Sequence, residues 1–170
     1  MIDPARIRHL NPRPTSAGHY VLYWMQAAQR VSYNHALAYA IEQADALRLP
    51  LVVCFGLTER FPAANARHYA FMLQGLGCVQ RELGALGVAL SVQRGSPPAV
   101  ACRLAQRAAL AVVDCGYLRL QRAWREEAAR QGVALRALTR REQPEAEGIE
   151  WVRGDPDDRA ALARLVDGAE

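Results

Sequence analysis

LVVCF (residues 51–55) and LAVVD (residues 110–114) are two short runs that consist almost entirely of apolar residues. Runs of about five such residues are typical of β-strands. An apolar residue at nearly every position indicates a strand that is covered on both faces, as the strands of a parallel sheet are. These two runs therefore predict the centre of a parallel sheet.

Three further runs, 20–25, 88–92 and 133–138, alternate with the central pair along the chain. The segments between the five runs have helical spacing of apolar residues, over 31–48, 65–86, 96–108 and 118–131. Strands that alternate with helices in this way indicate consecutive βαβ units with right-handed crossovers. The sequence therefore predicts an α/β fold: a three-layer, Rossmann-like, five-stranded parallel sheet with strand order 3-2-1-4-5.

The composition fits one folded domain. The chain has 170 residues, of which 51% are hydrophobic and 22% charged, which is the balance of a soluble globular protein. It has neither an apolar run of membrane-spanning length nor a signal-peptide start, so we expect a cytoplasmic protein without a membrane partner. We divide it into an extended arm (1–18), the α/β domain (19–138) and a C-terminal extension (139–170) that contains a short strand and a helix.

Charge is distributed unevenly along the chain. Residues 1–141 carry 18 Arg and 8 Asp plus Glu, whereas residues 142–170 carry 3 Arg and 9 acidic residues. A basic body can bind an anionic partner, or the acidic end can fold back over it. Because the sequence contains no lysine, the arginines also reflect a compositional bias, and they are weak evidence for nucleic-acid binding.

The strand order predicts where a ligand binds. In an open parallel sheet, ligands bind outside the carboxyl ends of the strands, where the strand order reverses. Here that point lies between the first and fourth predicted strands, so loops 25–30 and 114–119 meet there. We therefore expect the binding site in the crevice between these loops.

The first loop offers groups that suit a phosphate, a carboxylate or an enolate. Gln26 and Gln29 carry amide donors and acceptors, and Arg30 lies near the start of the next helix, where the helix dipole favours anions. Alternatively, the glutamines cap this helix and Arg30 pairs with a surface acid. The glycine motifs of dinucleotide dehydrogenases and P-loop enzymes are absent, which argues against both classes.

In the second loop, Asp114 can accept a hydrogen bond from a ligand and Tyr117 can stack on a planar ring. Alternatively, Asp114 caps the helix that follows. We interpret Trp124, further along this helix, as a core residue.

The sequence predicts neither a metal site nor a catalytic nucleophile. His68 has no second ligand at metal-binding spacing, and we expect both His68 and His35 to be partly buried and hydrogen-bonded. The four cysteines contain no Cys-x-x-Cys pair, and we interpret them as free thiols that are mostly buried.

Four fragments carry a resemblance to a known family. They are YWMQAAQR (23–30), FGLTERF (55–61), RHYAFMLQGL (67–76) and DCGYLRLQRAWR (114–125). In this order they resemble the amino-terminal α/β domain of class II cyclobutane pyrimidine dimer photolyases. The resemblance extends from about residue 19 to about residue 138.

This resemblance implies a ligand for the α/β domain, and it implies that FAD is bound by a different domain. In that family the α/β domain holds or borders an antenna chromophore, typically a deazaflavin, which passes energy to FAD in a separate helical domain. The positions that the resemblance implies nearest to such a chromophore are Met25, Gln26, Gln29, Arg30, Asp114 and Tyr117. We do not expect FAD on this chain alone, nor DNA repair by it alone.

Three functions are therefore open. The first is a stand-alone domain of the photolyase (lyase) family that binds a planar or nucleotide-like chromophore. The second is a subunit or fragment of a DNA photolyase that needs a separate helical FAD domain as its partner. The third is a non-catalytic adaptor for nucleic acid or protein, although we expect DNA to be bound only weakly or indirectly.

Overall fold

Six strands form one sheet in this computed structural model, which describes residues 2–131 and 134–138. The strands are β1 (Ile7–His9), β2 (Tyr20–Trp24), β3 (Leu51–Leu57), β4 (Ala89–Arg94), β5 (Ala108–Asp114) and β6 (Leu135–Leu138). Their spatial order is β1-β6-β5-β2-β3-β4. All neighbouring pairs are parallel except β1 and β6, which are antiparallel.

The predicted Rossmann-like α/β fold is confirmed, and so is the order 3-2-1-4-5 for the five parallel strands. We did not predict β1, which lies within the stretch interpreted as an arm and pairs Ile7 with Leu138 and His9 with Arg136. Three residues with two polar side chains are too short a run to show an alternating pattern. The extension 139–170, with its predicted strand and helix, lies outside the described residues.

A short 3₁₀ helix (Pro4–Arg6) precedes β1, and four α-helices connect the parallel strands. They are α1 (His35–Leu47), α2 (Ala66–Ala85), α3 (Pro97–Ala105) and α4 (Arg119–Arg130). Asn34 caps α1 by accepting a hydrogen bond from the Leu37 amide at 3.0 Å, so the helix begins four residues later than predicted. Asn65 and His68 form a capping box at the start of α2.

The side chains of β2 alternate between two buried layers. Val21, Tyr23 and Met25 pack in the cluster that contains α1 and α2, whereas Leu22 and Trp24 pack with α3 and α4. All five are at most 1% exposed. The central strand is therefore covered on both faces, as the apolar runs predicted.

The cysteines differ in exposure. Cys54 and Cys102 are buried, Cys115 is half-buried and Cys78 is exposed, so the expectation of mostly buried thiols is wrong for Cys78. Burial raises the pKa of the Cys54 thiol to about 12. None of the helices that the structure describes has the length and apolar character needed to cross a membrane.

Close packing between β3 and α3 depends on a glycine. A Cβ atom added to Gly56 would lie 2.5 Å from Cα of Pro97, and this neighbour is backbone that cannot move aside easily. We expect Gly56→Ala to lower the free energy of unfolding by about 1–3 kcal/mol, measured by urea denaturation.

The control is Gly84→Ala on α2, where an added Cβ meets no atom within 4 Å. Because alanine favours a helix by up to about 1 kcal/mol over glycine, this variant should be as stable as the parent or more stable. Equal losses in both variants would contradict the contact between β3 and α3.

Candidate ligand-binding site

A cavity of about 740 Å³ opens at the carboxyl ends of β2 and β3. We refer to it as the carboxyl-edge cavity. Its walls come from the end of β2 and the loop after it, the end of β3, loop 58–64, the first half of α2, one residue of α3 and two residues of α4. The cavity therefore lies at the edge of the sheet where ligands of open α/β proteins bind.

Aromatic side chains supply much of the cavity wall, namely Phe55, Phe61, Tyr69, Phe71, Trp24 and Trp124. The Phe61 ring meets Trp124 edge-to-face, with centroids 6.3 Å apart and an interplanar angle of 61°. The Tyr69 hydroxyl donates a hydrogen bond of 2.8 Å to the Thr58 carbonyl. These contacts join loop 58–64 to α4 and to α2.

The lining carries little charge. Among the described residues that line the cavity there is no Arg, Lys, Asp or Glu, and the polar side chains are neutral amides, the hydroxyls of Thr58 and Tyr69, and His68. An ionised phosphate or carboxylate would be desolvated there without a counter-charge, which is costly. The cavity therefore suits an uncharged planar group better than the anions expected from the sequence.

Asp114 anchors the loop that follows β2. Its carboxylate oxygens accept hydrogen bonds from the backbone N–H groups of Gln26 at 3.0 Å, Ala27 at 2.9 Å and Ala28 at 2.5 Å. Burial raises the pKa of this carboxyl group, while the three N–H donors and the nearby Arg125 act in the opposite direction. Asp114 thus binds the loop after β2 and not the start of α4, whose N-cap is Leu118.

This anchor explains why the cavity lies to one side of the expected crevice. The hydrogen bonds to Asp114 draw residues 26–28 over the end of β5. The open space then lies on the other side of β2, above β3, which supplies Phe55, Leu57 and Thr58 to its wall. Residues 26–28 thus lie against the end of β5.

The six residues predicted near a chromophore have different surroundings. Met25, Gln26 and Gln29 line the cavity, whereas Asp114 lies beneath the loop. Arg30 and Tyr117 are exposed and are not lining residues. Contact between a ligand and any of these six residues remains a prediction.

The alternative interpretation of loop 25–30, in which the glutamines cap α1 and Arg30 pairs with a surface acid, is wrong. The N-cap of α1 is Asn34, not a glutamine, and Gln29 Nε2 donates to the Gln26 carbonyl at 3.3 Å. Arg30 donates to the Tyr33 carbonyl at 3.4 Å, so its recorded partner is a backbone oxygen and not a surface acid.

Several lining residues were not predicted from the sequence. Trp124 is half-buried: it packs against the core cluster that contains Trp24, as expected, but it also lines the cavity. The other unpredicted lining residues are Phe55, Phe61, Tyr69, Phe71 and Met72. All of them fall within the four fragments that carry the family resemblance, which was a usable signal. His68 and His35 are hydrogen-bonded, as expected, but exposed. The part of the chain that the structure describes contains no cluster of metal ligands.

Two buried donors at the end of β2 lack partners. Trp24 Nε1 and Gln26 Nε2 have no hydrogen-bond acceptor among the described residues, although both side chains are more than nine-tenths buried. Both residues line the carboxyl-edge cavity. Buried polar groups in native proteins are usually satisfied, so these two donors require an explanation.

Comparison with known proteins identifies the family. The sequence matches the family model for DNA photolyase over residues 21–141, which includes β2 to β6 and the cavity. The chain belongs to the DNA photolyase family. The family domain thus coincides with the parallel part of the sheet.

Known photolyases show the same relationship. The chain is 52% identical over 130 residues to a deoxyribodipyrimidine photo-lyase of Methanothermobacter thermautotrophicus, covering 76% of this chain and 29% of that protein. It is 43% identical over 76 residues to the deoxyribodipyrimidine photo-lyase of Potorous tridactylus, covering 45% of this chain and 14% of that protein. The chain therefore spans less than a third of the length of these photolyases.

The fold is also found outside the photolyases. A putative universal stress protein from Pseudomonas aeruginosa superimposes with a TM-score of 0.54 at 13% identity, covering 78% of this chain and 51% of that chain. At this identity the similarity concerns the fold alone.

The role of Asp114 gives a stability prediction. Asp114→Ala removes the acceptor of three backbone N–H groups, so we expect the free energy of unfolding to fall by about 2–3 kcal/mol in urea denaturation. Hydrogen exchange should become faster at Ala27 and Ala28, whose amides lose their partner.

Asp45→Ala is the matched control, because Asp45 is exposed on α1. Its effect should stay within about 0.5 kcal/mol. If Asp114→Ala were as stable as this control, the carboxylate would not be the anchor of the loop.

Proposed function

We propose that this photolyase-family domain binds a planar, nucleotide-like chromophore of the deazaflavin type in the carboxyl-edge cavity. The observation that supports this most strongly is the cavity itself, which combines a volume of about 740 Å³ with aromatic walls. Small-molecule sites in proteins typically have about 300–1,000 Å³ and are lined by apolar and aromatic side chains with a few polar groups. A tricyclic ring system falls within this range.

The chemistry of the walls favours a flat, uncharged ring. Aromatic side chains offer faces and edges to a second π-system, which they contact by stacking or edge-to-face packing. The absence of ionised side chains from the described lining disfavours a phosphate within the cavity. In this proposal the ring system lies in the cavity, and any charged substituent extends toward solvent.

An exposed aromatic residue at the cavity supports a bound ligand. Phe71 on α2 is 79% exposed although it lines the cavity. An exposed phenyl ring contributes little to folding, whereas covering it with a ligand removes apolar surface from water at roughly 25 cal/mol per Å². Phe71 is therefore placed to contribute to binding more than to stability.

The proposed chromophore has an antenna role, as in the class II photolyases that the sequence resembles. It absorbs light and passes the energy to FAD. Because the chain matches less than a third of the length of the photolyases described above, we propose that pyrimidine-dimer repair needs an FAD-binding part on a separate chain or beyond this domain. Adding FAD to this chain should then leave dimers in irradiated DNA uncleaved in light.

The basic surface favours a second candidate, an adaptor for DNA or for an acidic protein. Residues 2–131 and 134–138 contain 16 Arg and 8 Asp plus Glu. Electrostatic binding to DNA weakens steeply with salt because phosphate neutralisation releases counterions. Salt-dependent binding to duplex DNA without chromophore binding would favour this candidate over the antenna.

The chromophore proposal is tested by titration with 5-deazariboflavin, an uncharged deazaflavin, followed by absorption and fluorescence. We expect the protein to retain the chromophore band after free ligand is removed. Phe71→Ala should raise Kd about tenfold because it removes an aromatic wall.

Leu73→Ala is the control, since Leu73 is also exposed on α2 but does not line the cavity. Its Kd should match that of the parent. A parent protein that retains no chromophore would refute the proposed function, and equal weakening in both variants would place the ligand elsewhere.

A further inference from the structure

Gln121, in the first turn of α4, carries an amide to the wall of the carboxyl-edge cavity. The residue is 8% exposed and lines the cavity together with Trp124, which lies three residues further along α4. Residues three apart lie on one face of a helix, so both side chains are turned toward the cavity. Because α4 follows β5, its first turn lies at the carboxyl ends of the strands, where the cavity opens.

The amide of Gln121 has no protein partner, yet it is accessible. A glutamine at the third position of a helix often bonds back to the N-cap residue, but Gln121 makes no such bond, nor any other side-chain hydrogen bond to a described residue. The unpartnered side-chain atoms without accessible surface are Trp24 Nε1 and Gln26 Nε2, which a ligand in the open space does not reach. The amide atoms of Gln121 are not of this kind, so they keep accessible surface at the cavity.

Gly116, in the loop after β5, determines where this amide can lie. A Cβ atom added to Gly116 would overlap Oε1 of Gln121 and lie 2.5 Å from its Cδ and 3.0 Å from its Nε2. The amide therefore packs over the Cα atom of Gly116, in space that glycine leaves open. An unpartnered side chain is thus held at a defined place in the wall of the cavity.

A carboxamide recognises a particular kind of ring edge. It offers N–H donors and an acceptor oxygen side by side. A planar ring matches both when a donor and an acceptor are neighbours on its edge, as when glutamine pairs with N6 and N7 of adenine. A ring edge with only C–H groups would displace water from the amide without replacing its hydrogen bonds, which is costly.

We propose that Gln121 selects the ligand of this cavity by pairing with a ring edge that carries a donor next to an acceptor. On a deazaflavin this is the pyrimidinedione edge, where the N3–H group lies between two carbonyl groups. The aromatic walls accept any flat ring, whereas the amide discriminates between rings, because a site built to hydrogen-bond a ligand rejects an analogue that lacks the matching group. This inference rests on the proposed function and adds an orientation, with the pyrimidinedione edge toward α4.

The test compares the Kd of 5-deazariboflavin with that of its N3-methyl derivative, in which a methyl group replaces the ring N–H hydrogen. We expect the parent chain to bind the unmethylated ring about tenfold more tightly, because methylation removes the donor. Gln121→Met keeps the length of the side chain but removes both polar groups. In this variant Kd for 5-deazariboflavin should rise about tenfold, and the preference between the two ligands should fall below about threefold.

Gly116→Ala tests the position of the amide without removing it. The φ angle of Gly116 lies outside the left-handed region, and the added Cβ meets the far end of a flexible side chain, so the fold should tolerate alanine while the amide moves. We expect this variant to lose the preference as Gln121→Met does. The matched control is Gln80→Met, because Gln80 is exposed on α2 and does not line the cavity. Its two Kd values should equal those of the parent.

The outcomes separate this inference from the proposed function. If the parent binds 5-deazariboflavin but does not prefer it to the methylated ring, or if Gln121→Met keeps the preference, the role of Gln121 is refuted while the chromophore function stands. If the parent binds neither ligand, the proposed function fails and this inference fails with it. Loss of the preference in a Gln121→Met protein whose ligand-free denaturation midpoint is unchanged or higher would support an amide that serves the ligand and not the fold. If Gln121→Met does not fold, Gly116→Ala decides the question.

Discussion

A carboxylate at the end of one strand determines the shape of the site. Asp114 closes β5 and accepts three backbone N–H groups from residues 26–28, which follow β2. A buried carboxylate is costly unless it is hydrogen-bonded, and backbone N–H groups that leave a strand need acceptors. The carboxylate supplies acceptors for the N–H groups, and the N–H groups supply the hydrogen bonds that the buried carboxylate needs. The loop is thereby fixed over β5, and the open cavity lies above β3.

The consequence is a binding site whose parts come from distant segments of the chain. The end of β2 supplies buried amide and indole groups, while loop 58–64 and α2 supply aromatic walls. The contact of Phe61 with Trp124 joins loop 58–64 to α4, and the hydrogen bond from Tyr69 to Thr58 joins the same loop to α2. This largely neutral space suits an uncharged ligand better than a phosphorylated one, because little in its described lining would compensate a buried charge.

Membership of the DNA photolyase family describes the whole domain, whereas the geometry of the cavity describes one site within it. The family match covers the parallel sheet as a whole. The fold alone carries little functional information, since a universal stress protein superimposes at 13% identity. The aromatic lining of the cavity belongs to this site and not to the architecture, and it supports the proposed function.

The sequence by itself determined the fold class, the strand order and much of the lining. Apolar runs such as 51–55 and 110–114 must be covered on both faces, and right-handed crossovers then leave few arrangements of five parallel strands. Its motifs also contained Met25, Gln26 and Gln29. Only the tertiary structure decided that Asp114 serves the loop after β2, that Trp124 faces a cavity, and that Trp24 and Gln26 keep free donors. They depend on contacts between residues far apart in the sequence, such as Ala28 with Asp114 (86 residues apart) and Gln26 with Arg125 (99 residues apart). A local pattern of polarity or spacing does not predict such contacts.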